Sequence, residues 1–600
     1  MSTDSTTSKF NIQYCKQKTC ILSQFSKDLG KEIKNDIEYK PFSLKNVQNY
    51  NPIYDKFFEM NENNYNNIGL NHKYKCVGVD EICQQNNNNN IKTQPIFIKY
   101  APLLDPLRYL VGNYSETDEQ LTCLPSLNNN NTCNKLLTCN NASYVDNFFC
   151  YLSSQLLNQH DLHNGIDYYG SALAIQEKYK FNAVDDLDYL MQSTHFKSNR
   201  GTLYDIESNI EDPFSNFGSR RNKNPLVLED ENIELDFDVL ENVDEDIEYK
   251  NLAENDLELI EDFGEPNQSS ETVLKELDSD TDSEIDNESC NNEFEEDGSD
   301  VDNEHGGEEE EKDDEEDEDC SDVDNEEDEE DEEDDDDSSE QDSEEEDEKL
   351  IYINNFPVQV IMLEKCKGTL DELFVKGEIQ DENIANAILM QIIMTLLAYQ
   401  KAYHFTHNDL HTNNIMWNET DEPYIYYKFS GKIYRVPTFG KIFKIIDFGR
   451  SIYKFGGKTF CSDSFAPEGD ASSQYNCEPY FNEKKARLEP NFSFDLCRLG
   501  TSLYDFIFDE DGEPDKKKMD SFQRTVYRWC TDDNGCNVLY KKNGEERYPG
   551  FKLYKMISRL VHKHTPESQL ELKPFSEYVW NKKSNKEYII DIDSIADYTK

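Results

Sequence analysis

Residues 407–416 read His407-Asn408-Asp409-Leu410-His411-Thr412-Asn413-Asn414-Ile415-Met416, and this stretch decides the fold. A second stretch, Lys444-Ile445-Ile446-Asp447-Phe448-Gly449, follows after an intervening segment. Each places an acidic residue in a loop beside apolar, strand-like residues. Because a rigid scaffold commonly presents functional side chains on such loops, we expect both acids to serve one site.

The residue types in the two loops suit the transfer of a phosphoryl group. Asp409 is expected to accept or orient the proton of an attacking hydroxyl, and Asn414, five residues later, is expected to bind a metal ion. Asp447 would hold Mg²⁺ between the phosphates of ATP, while Gly449 permits the backbone to turn. Such catalysis is mostly positioning and charge neutralisation, so few side chains are required.

The segments before the first loop predict a strand and two helices. Val358–Cys366 is typical of a buried strand that ends in a polar turn, and Thr369 is the expected N-cap of the helix after it. We expect the backbone groups of Glu364 and Cys366 to bind adenine. A long core helix should then deliver the loop, because apolar residues recur at helical spacing at Ile384, Ile388, Leu389, Ile392, Ile393, Leu396 and Leu397.

A lysine earlier in the chain is the candidate phosphate ligand. Pro95–Tyr100 is a short β-branched and aromatic run, and Lys99 within it either presents its amine to phosphates or faces water from an edge strand. The helix that follows has apolar residues at Val145, Phe148, Phe149, Leu152 and Leu156, and Asp146 is its acid. Aspartate is one methylene shorter than glutamate and reaches less far from the helix. We therefore predict that Asp146 is a solvated acid near the helix N-terminus rather than a partner of Lys99.

Composition divides the chain into folded flanks and an acidic middle. The 600 residues include 125 acidic and 59 basic ones, a formal charge of −66. Leu228–Glu348 is rich in Asp, Glu, Ser and Asn, and its charge repulsion predicts disorder. Its charge disfavours nucleic acid and favours a basic protein as partner. The run Asn86–Asn90 is expected to be a loop, and no glycine-rich phosphate loop is evident near it.

The remaining composition favours a soluble protein of the cytoplasm. The N-terminus lacks a basic start and an apolar segment, and the apolar run Ala387–Tyr399 is too short to span a bilayer. The 16 cysteines include no C-x-x-C pair, which suits reduced thiols better than zinc or disulfides.

At these loops the chain resembles the eukaryotic-type protein kinase superfamily. The resemblance extends to Phe494–Tyr504, similar to the helix whose aspartate, here Asp495, braces the catalytic loop, and it makes His407 the structural histidine. It implies an α+β, bilobal fold with a small β-rich lobe and a large helical lobe, and ATP and Mg²⁺ as cofactors. The expected divisions are an N-terminal extension (1–90), the first part of the small lobe (91–190), the acidic disordered insertion (191–348), and the hinge with the large lobe (349–600).

The departures from that family leave the activity open. Asn408 stands where many regulated kinases have arginine. His411 stands where serine/threonine kinases usually have lysine, and histidine there resembles haspin-type kinases and small-molecule phosphotransferases. The alternatives to a serine/threonine protein kinase are therefore a small-molecule phosphotransferase and a catalytically weak pseudokinase that acts as a scaffold. The asparagine-rich runs and the acidic insertion resemble kinase-like proteins of giant nucleocytoplasmic DNA viruses, which implies the host cytoplasm or the virion as location.

Overall fold

The computed structural model describes residues 14–16, 32–34, 37–84, 87–128, 131–184, 186–206, 349–508, 514–541, 544–581 and 588–600. The acidic stretch Leu228–Glu348, which the sequence predicts to be disordered, lies outside the described residues. The described part has mixed α and β content, β-rich in its N-terminal region and with more helix later in the chain.

The strands are mostly short, apart from two of 15 residues each. In chain order they are β1 Tyr14–Lys16, β2 Glu32–Lys34, β3 Ile37–Tyr39, β4 Leu44–Gln48, β5 Ile68–Leu70, β6 Tyr74–Gly78, β7 Glu81–Gln84, β8 Asn87–Thr93, β9 Ile96–Pro102, β10 Tyr168–Asn182, β11 Tyr204–Ile206, β12 Leu350–Glu364, β13 Gly368–Thr369, β14 Ile415–Glu419, β15 Tyr424–Phe429, β16 Lys432–Pro437, β17 Lys441–Ile445, β18 Ile452–Phe455, β19 Lys458–Cys461 and β20 Ile590–Asp591.

Two of the helices are long and the others have eleven residues or fewer. They are α1 Pro106–Val111, α2 Asp118–Leu121, α3 Asn134–Leu137, α4 Ala142–His160, α5 Leu187–Gln192, α6 Thr194–Ser198, α7 Leu370–Val375, α8 Glu382–Tyr403, α9 Phe494–Tyr504, α10 Ser521–Trp529, α11 Lys552–Leu560 and α12 Pro566–Gln569.

The main sheet is antiparallel and has five strands. Its order is β11-β12-β10-β4, and β9 also pairs with β12. The β10–β12 ladder runs from the pair Tyr168↔Leu363 at one end to Asn182↔Leu350 at the other. Strand β9 pairs with the C-terminal half of β12, so that Lys99 lies opposite Ile361. The sheet therefore places the strand of Lys99 beside the strand that ends at Glu364.

Three boundaries differ from the sequence prediction. Strand β4 pairs with β10, so residues before 91 belong to the main sheet rather than to a separate extension. Residues 87–90 of the run expected to be a loop instead belong to β8, which pairs with β7 at Asn87 and at residues 91–93 through backbone groups that do not depend on the asparagine side chains. The insertion cannot begin at 191, since α6 and β11 continue the fold to Ile206.

The predicted helices are confirmed, and α8 is the longest of them. Thr369 caps α7 by accepting a hydrogen bond from the Glu372 amide, and α4 and α9 cover the predicted segments. Helix α8 has 22 residues and is long and apolar enough to cross a membrane, although its central apolar run is short. Because 83% of its most apolar window is buried in the protein, core packing accounts for that composition.

Candidate active site

The two loops that carry Asp409 and Asp447 meet at one end of a small sheet. Strands β14 and β17 are antiparallel, with Ile415 opposite Ile445. The Ile446 amide donates to the Asn414 carbonyl at 3.0 Å, so the residue before β14 touches the residues after β17. Asp447 follows directly. Antiparallel pairing thus brings together side chains that lie 33 positions apart in the sequence.

A buried aspartate and a histidine fix the first loop. Asp495, at the start of α9, accepts the backbone N–H groups of His407 and Asn408 at 2.9 Å each. The Nε2 of His407 donates to the Ile446 carbonyl at 2.9 Å, which ties the first loop to the second. Burial raises the pKa of Asp495, and the attraction of His407 opposes that shift. Both residues occupy the supporting positions that the resemblance implies.

Lys99 pairs with two carboxylates, and the prediction for Asp146 was wrong. The Lys99 Nζ lies 2.7 Å from Asp146 Oδ2 and 3.0 Å from Asp447 Oδ1. Asp146 is 1% exposed, and its other oxygen accepts the Phe448 amide at 2.8 Å. The prediction of a solvated Asp146 took only the length of the aspartate side chain into account. Because α4 packs close to both β9 and the second loop, the shorter side chain reaches both partners.

Burial and attraction oppose each other in this cluster. Burial acts to lower the pKa of Lys99, but the charges of Asp146 and Asp447 outweigh it and raise that pKa. Burial raises the pKa of Asp146 despite the Lys99 charge. Burial acts in the same direction on Asp447, but the attraction and hydrogen bond of Lys99 hold its pKa below the usual value. Asp447 is therefore the carboxylate that stays ionised most easily.

The Asn414 side chain is oriented by contacts of its amide nitrogen, which leave its amide oxygen uninvolved. Its Nδ2 donates to the Asp409 carbonyl at 2.9 Å and contacts His411 Nε2 at 3.1 Å. Burial lowers the pKa of His411, which favours the neutral ring whose nitrogen can accept this bond. With both amide hydrogens directed to protein acceptors, the Asn414 Oδ1 is left to coordinate a cation.

The donor set fits magnesium. Asp447 offers a carboxylate that is 47% exposed, and Asn414 offers an amide oxygen. Mg²⁺ prefers hard oxygen ligands and commonly takes one or two from protein and the rest from phosphate and water. In the part of the chain that the structure describes, no group of three His, Cys, Asp or Glu side chains forms a separate metal cluster.

The surroundings of Asp409 include residues that sequence reasoning missed. The Tyr554 hydroxyl of α11 donates to Asp409 Oδ1 at 2.8 Å, and Arg498 Nε donates to the same hydroxyl at 2.8 Å. On the other side, Arg450 Nε lies 3.8 Å from Asp409 Oδ2. Tyr554 therefore occupies one oxygen of the carboxylate, and the second oxygen faces a cation at longer range. No local sequence pattern marks Tyr554, which comes 145 residues after Asp409.

Glu364 and Cys366 have different surroundings. The Glu364 carboxylate accepts Lys444 Nζ at 2.7 Å and the Asp167 amide at 2.8 Å, so its side chain anchors the end of β12. The Glu364 amide donates to the Asp167 carbonyl at 3.1 Å. In contrast, no acceptor among the described residues takes the backbone N–H of Cys366. This amide is a donor that an adenine nitrogen could use.

The turns of both loops use positive φ at residues other than glycine. Asn408 and Asp447 have φ values of 64° and 61°, which non-glycine residues seldom adopt and which recur at functional sites. The expected role of Gly449 in the turn was wrong, since a Cβ added there would make only an ordinary contact, 3.5 Å from Asp447 Oδ1. The Asn408 side chain accepts the Tyr475 hydroxyl at 2.8 Å and donates to the Arg450 carbonyl at 3.1 Å.

Most of the cysteines that the structure describes are buried, including Cys150, whose thiol donates to Asp146 Oδ1 at 3.7 Å. They do not take part in the contacts of Asp409, Asn414 or Asp447 described above.

Comparisons with known proteins give partial similarity to protein kinases. No family model matches the chain. The serine/threonine-protein kinase haspin of Mus musculus is 33% identical over 116 residues, 18% of this chain and 15% of that protein. Haspin of Bos taurus is 31% identical over 116 residues, which again cover 18% of this chain and 15% of that protein. Uncharacterized protein 098R of Invertebrate iridescent virus 6 is 29% identical over 163 residues, 26% of this chain and 24% of that protein. The matched stretches thus span less than a quarter of each relative.

Proposed function

We propose that this protein is a serine/threonine protein kinase with a bilobal kinase-like fold, which transfers the γ-phosphoryl group of ATP to a protein hydroxyl. One observation carries the proposal. Lys99 from the main sheet is bonded at once to Asp146 of α4 and to Asp447 of the second loop, at 2.7 and 3.0 Å. Protein kinases use such a lysine, paired to a helix carboxylate and beside the metal-binding aspartate.

Each polar group has a role in this reaction. Lys99 would bind the α- and β-phosphates, and the free N–H of Cys366 would bind adenine. Asp447 and Asn414 would hold Mg²⁺, which neutralises the phosphate charge when bound. Asp409 would orient the attacking hydroxyl and accept its proton through Oδ2, because Oδ1 already accepts the Tyr554 hydroxyl.

The alternatives lose part of the support that motivated them. The scaffold hypothesis relied on the missing glycine-rich loop, which still holds, and on a weak Asp146, which does not hold because Asp146 is buried and paired with Lys99. The small-molecule hypothesis relied on His411, whose ring contacts Asn414 and thus has a supporting role within the site. The partial similarity to haspin, which is named a serine/threonine-protein kinase, favours a protein acceptor.

The decisive experiment is transfer of labelled phosphate from ATP. The full chain, Mg²⁺ and γ-labelled ATP are incubated with a mixture of serine- and threonine-containing peptides, and Asp409→Asn is compared with the native residue. Loss of a general base lowers rates by about 10²- to 10⁴-fold. The matched control is Asp593→Asn, because its carboxylate lies outside the site, on the short 3-10 helix Ile592–Ser594, and accepts the Ser430 and Gly431 amides at 2.8 and 2.9 Å.

The native chain and Asp593→Asn should label the peptides, whereas Asp409→Asn should not. Full labelling by Asp409→Asn would remove the proposal. Labelling of metabolites in place of peptides would identify a small-molecule phosphotransferase. Absence of labelling by the native chain, with MgATP still bound, would favour the scaffold.

A further inference from the structure

A buried ion pair joins the main sheet to the small sheet that carries the two loops. Lys444 Nζ lies 2.7 Å from Glu364 Oε1, and the two side chains are 6% and 12% exposed. Glu364 is the last residue of β12 in the main sheet, whereas Lys444 belongs to β17, which pairs with β14. The ion pair therefore connects the strand that ends two residues before Cys366 with the strand that leads to Asp447.

Both members of the ion pair have further polar partners. Lys444 Nζ also donates to the Gly165 carbonyl at 2.6 Å. The second carboxylate oxygen of Glu364 accepts Asn418 Nδ2 at 3.1 Å, and Asn418 lies on β14, the strand that begins directly after Asn414. Glu364 is thus bonded to both of the strands that carry the loops of the site.

The same network reaches the expected adenine donor and helix α4. Asn418 Nδ2 also contacts Cys366 Sγ at 3.7 Å. The Asp167 amide donates to Glu364 Oε1 at 2.8 Å, and the Asp167 carboxylate accepts the Ser154 hydroxyl of α4 at 2.7 Å. Because buried polar networks with satisfied members rigidify the elements that they join, the end of β12, α4, β14 and β17 are held in one arrangement.

We propose that Lys444 is a positioning residue, which acts through Glu364 to set the distance between the amide that binds adenine and the carboxylate that binds Mg²⁺. This inference rests on the proposed function. Lys444 lies three residues before Asp447, and Glu364 lies two residues before Cys366. MgATP would span both groups, so its affinity depends on their separation. ATP without the metal makes no metal-mediated contact with Asp447 and is less sensitive to that distance.

The test measures the Kd of the full chain for ATP, once with Mg²⁺ and once with a chelator in its place. Lys444→Met keeps an unbranched apolar side chain and removes the charge. It should raise the Kd for MgATP by about 10- to 100-fold, as expected when a group behind a metal ligand is lost, and change the Kd for metal-free ATP by less than about twofold. The control is Lys178→Met, because Lys178 also joins two strands, through Asp205 at 2.9 Å, outside the site.

A double variant separates positioning from stability. Lys444→Met leaves the Glu364 carboxylate buried without its cation, so urea unfolding should show a loss of stability. Lys444→Met combined with Glu364→Gln removes both charges, and most of the lost stability should return. The affinity for MgATP should stay low, because the ion pair between the two strands is still absent. A purely structural role would restore the affinity together with the stability.

The outcomes separate this inference from the proposed function. Equal MgATP affinity in Lys444→Met and the native chain overturns the inference and leaves the kinase proposal standing. Equal losses with and without Mg²⁺, recovery of MgATP affinity in the double variant, or a similar loss in Lys178→Met also overturn it. If Lys444→Met does not fold, the double variant decides by the same comparison. If the native chain binds ATP neither with nor without Mg²⁺, the proposed function fails and this inference fails with it.

Discussion

Replacement of Asp146 by asparagine tests the centre of the site. The asparagine oxygen can still accept the Phe448 amide, which lies 2.8 Å from the native carboxylate. In that orientation its NH₂ group faces the Lys99 ammonium, where the native contact is 2.7 Å. A strong ion pair is then replaced by two donors that repel each other.

The size of the effect follows from the surroundings of Lys99. Removing one partner of a buried ion pair costs about 3–5 kcal/mol. Lys99 keeps Asp447 at 3.0 Å, and its side chain is 24% exposed. We therefore expect a smaller loss, about 2–3 kcal/mol, in the free energy of unfolding. The same loss in the positioning of Lys99 would raise the Kd for MgATP by about 30- to 150-fold.

Urea unfolding and the Kd for MgATP, measured on the same preparations, check both parts. Asp463→Asn is a matched control, because Asp463 has the same kinds of partner, Lys135 Nζ at 2.8 Å and the Ala142 amide at 2.9 Å. It should lose stability without a selective loss of nucleotide affinity. The reasoning fails if Asp146→Asn binds MgATP as tightly as the native chain.

Three further predictions concern other parts of the chain. Tyr554→Phe removes the hydroxyl that holds Asp409 at 2.8 Å, so kcat for peptide labelling should fall about tenfold while KM for ATP stays constant. Burial lowers the pKa of His72 from 6.5 to about 4, so the unfolded chain binds the proton first. Stability should therefore fall by about 3 kcal/mol as pH drops from 6.5 to 4, as measured by urea unfolding, and His72→Gln should remove that loss. Deletion of residues 229–348 should abolish salt-sensitive binding to basic proteins in a pull-down.

Each of these has a contrary result. A higher KM for ATP in Tyr554→Phe, with kcat unchanged, would place Tyr554 outside the positioning of Asp409. An identical pH dependence in His72→Gln would assign the loss of stability to other groups. Unchanged retention of basic proteins after the deletion would show that the acidic stretch is not their binding site.

The sequence predicts those features that depend on local patterns. Helices α4 and α8 follow from the spacing of apolar residues, α9 follows from the family resemblance, and the two loops follow from the residue types around Asp409 and Asp447. The pairing of Asp146 with Lys99 does not follow, because it depends on how closely a helix packs on a sheet. Tyr554 does not follow either, since only the tertiary fold brings α11 to the first loop.

Backbone pairing and backbone conformation explain the remaining differences. Residues 88–90 of the asparagine run lie within β8 because the residues on either side of them, Asn87 and Ile91, pair with β7, and side-chain composition does not report such pairing. The prediction that Gly449 permits the turn was wrong for a different reason. Asp447 itself adopts the left-handed backbone conformation, and its contact with Lys99 holds it there.

The length of β12 determines how the acidic stretch is attached. The strand has 15 residues, so Leu350 lies about 48 Å along it from Glu364 at the site. Physiological salt screens exposed charges beyond about 8 Å, so Leu350, the second described residue after the acidic stretch, is about six screening lengths along the strand from Glu364. The strand thus serves as a spacer, and a charge introduced at Leu350 would leave the electrostatic potential at Glu364 unaltered.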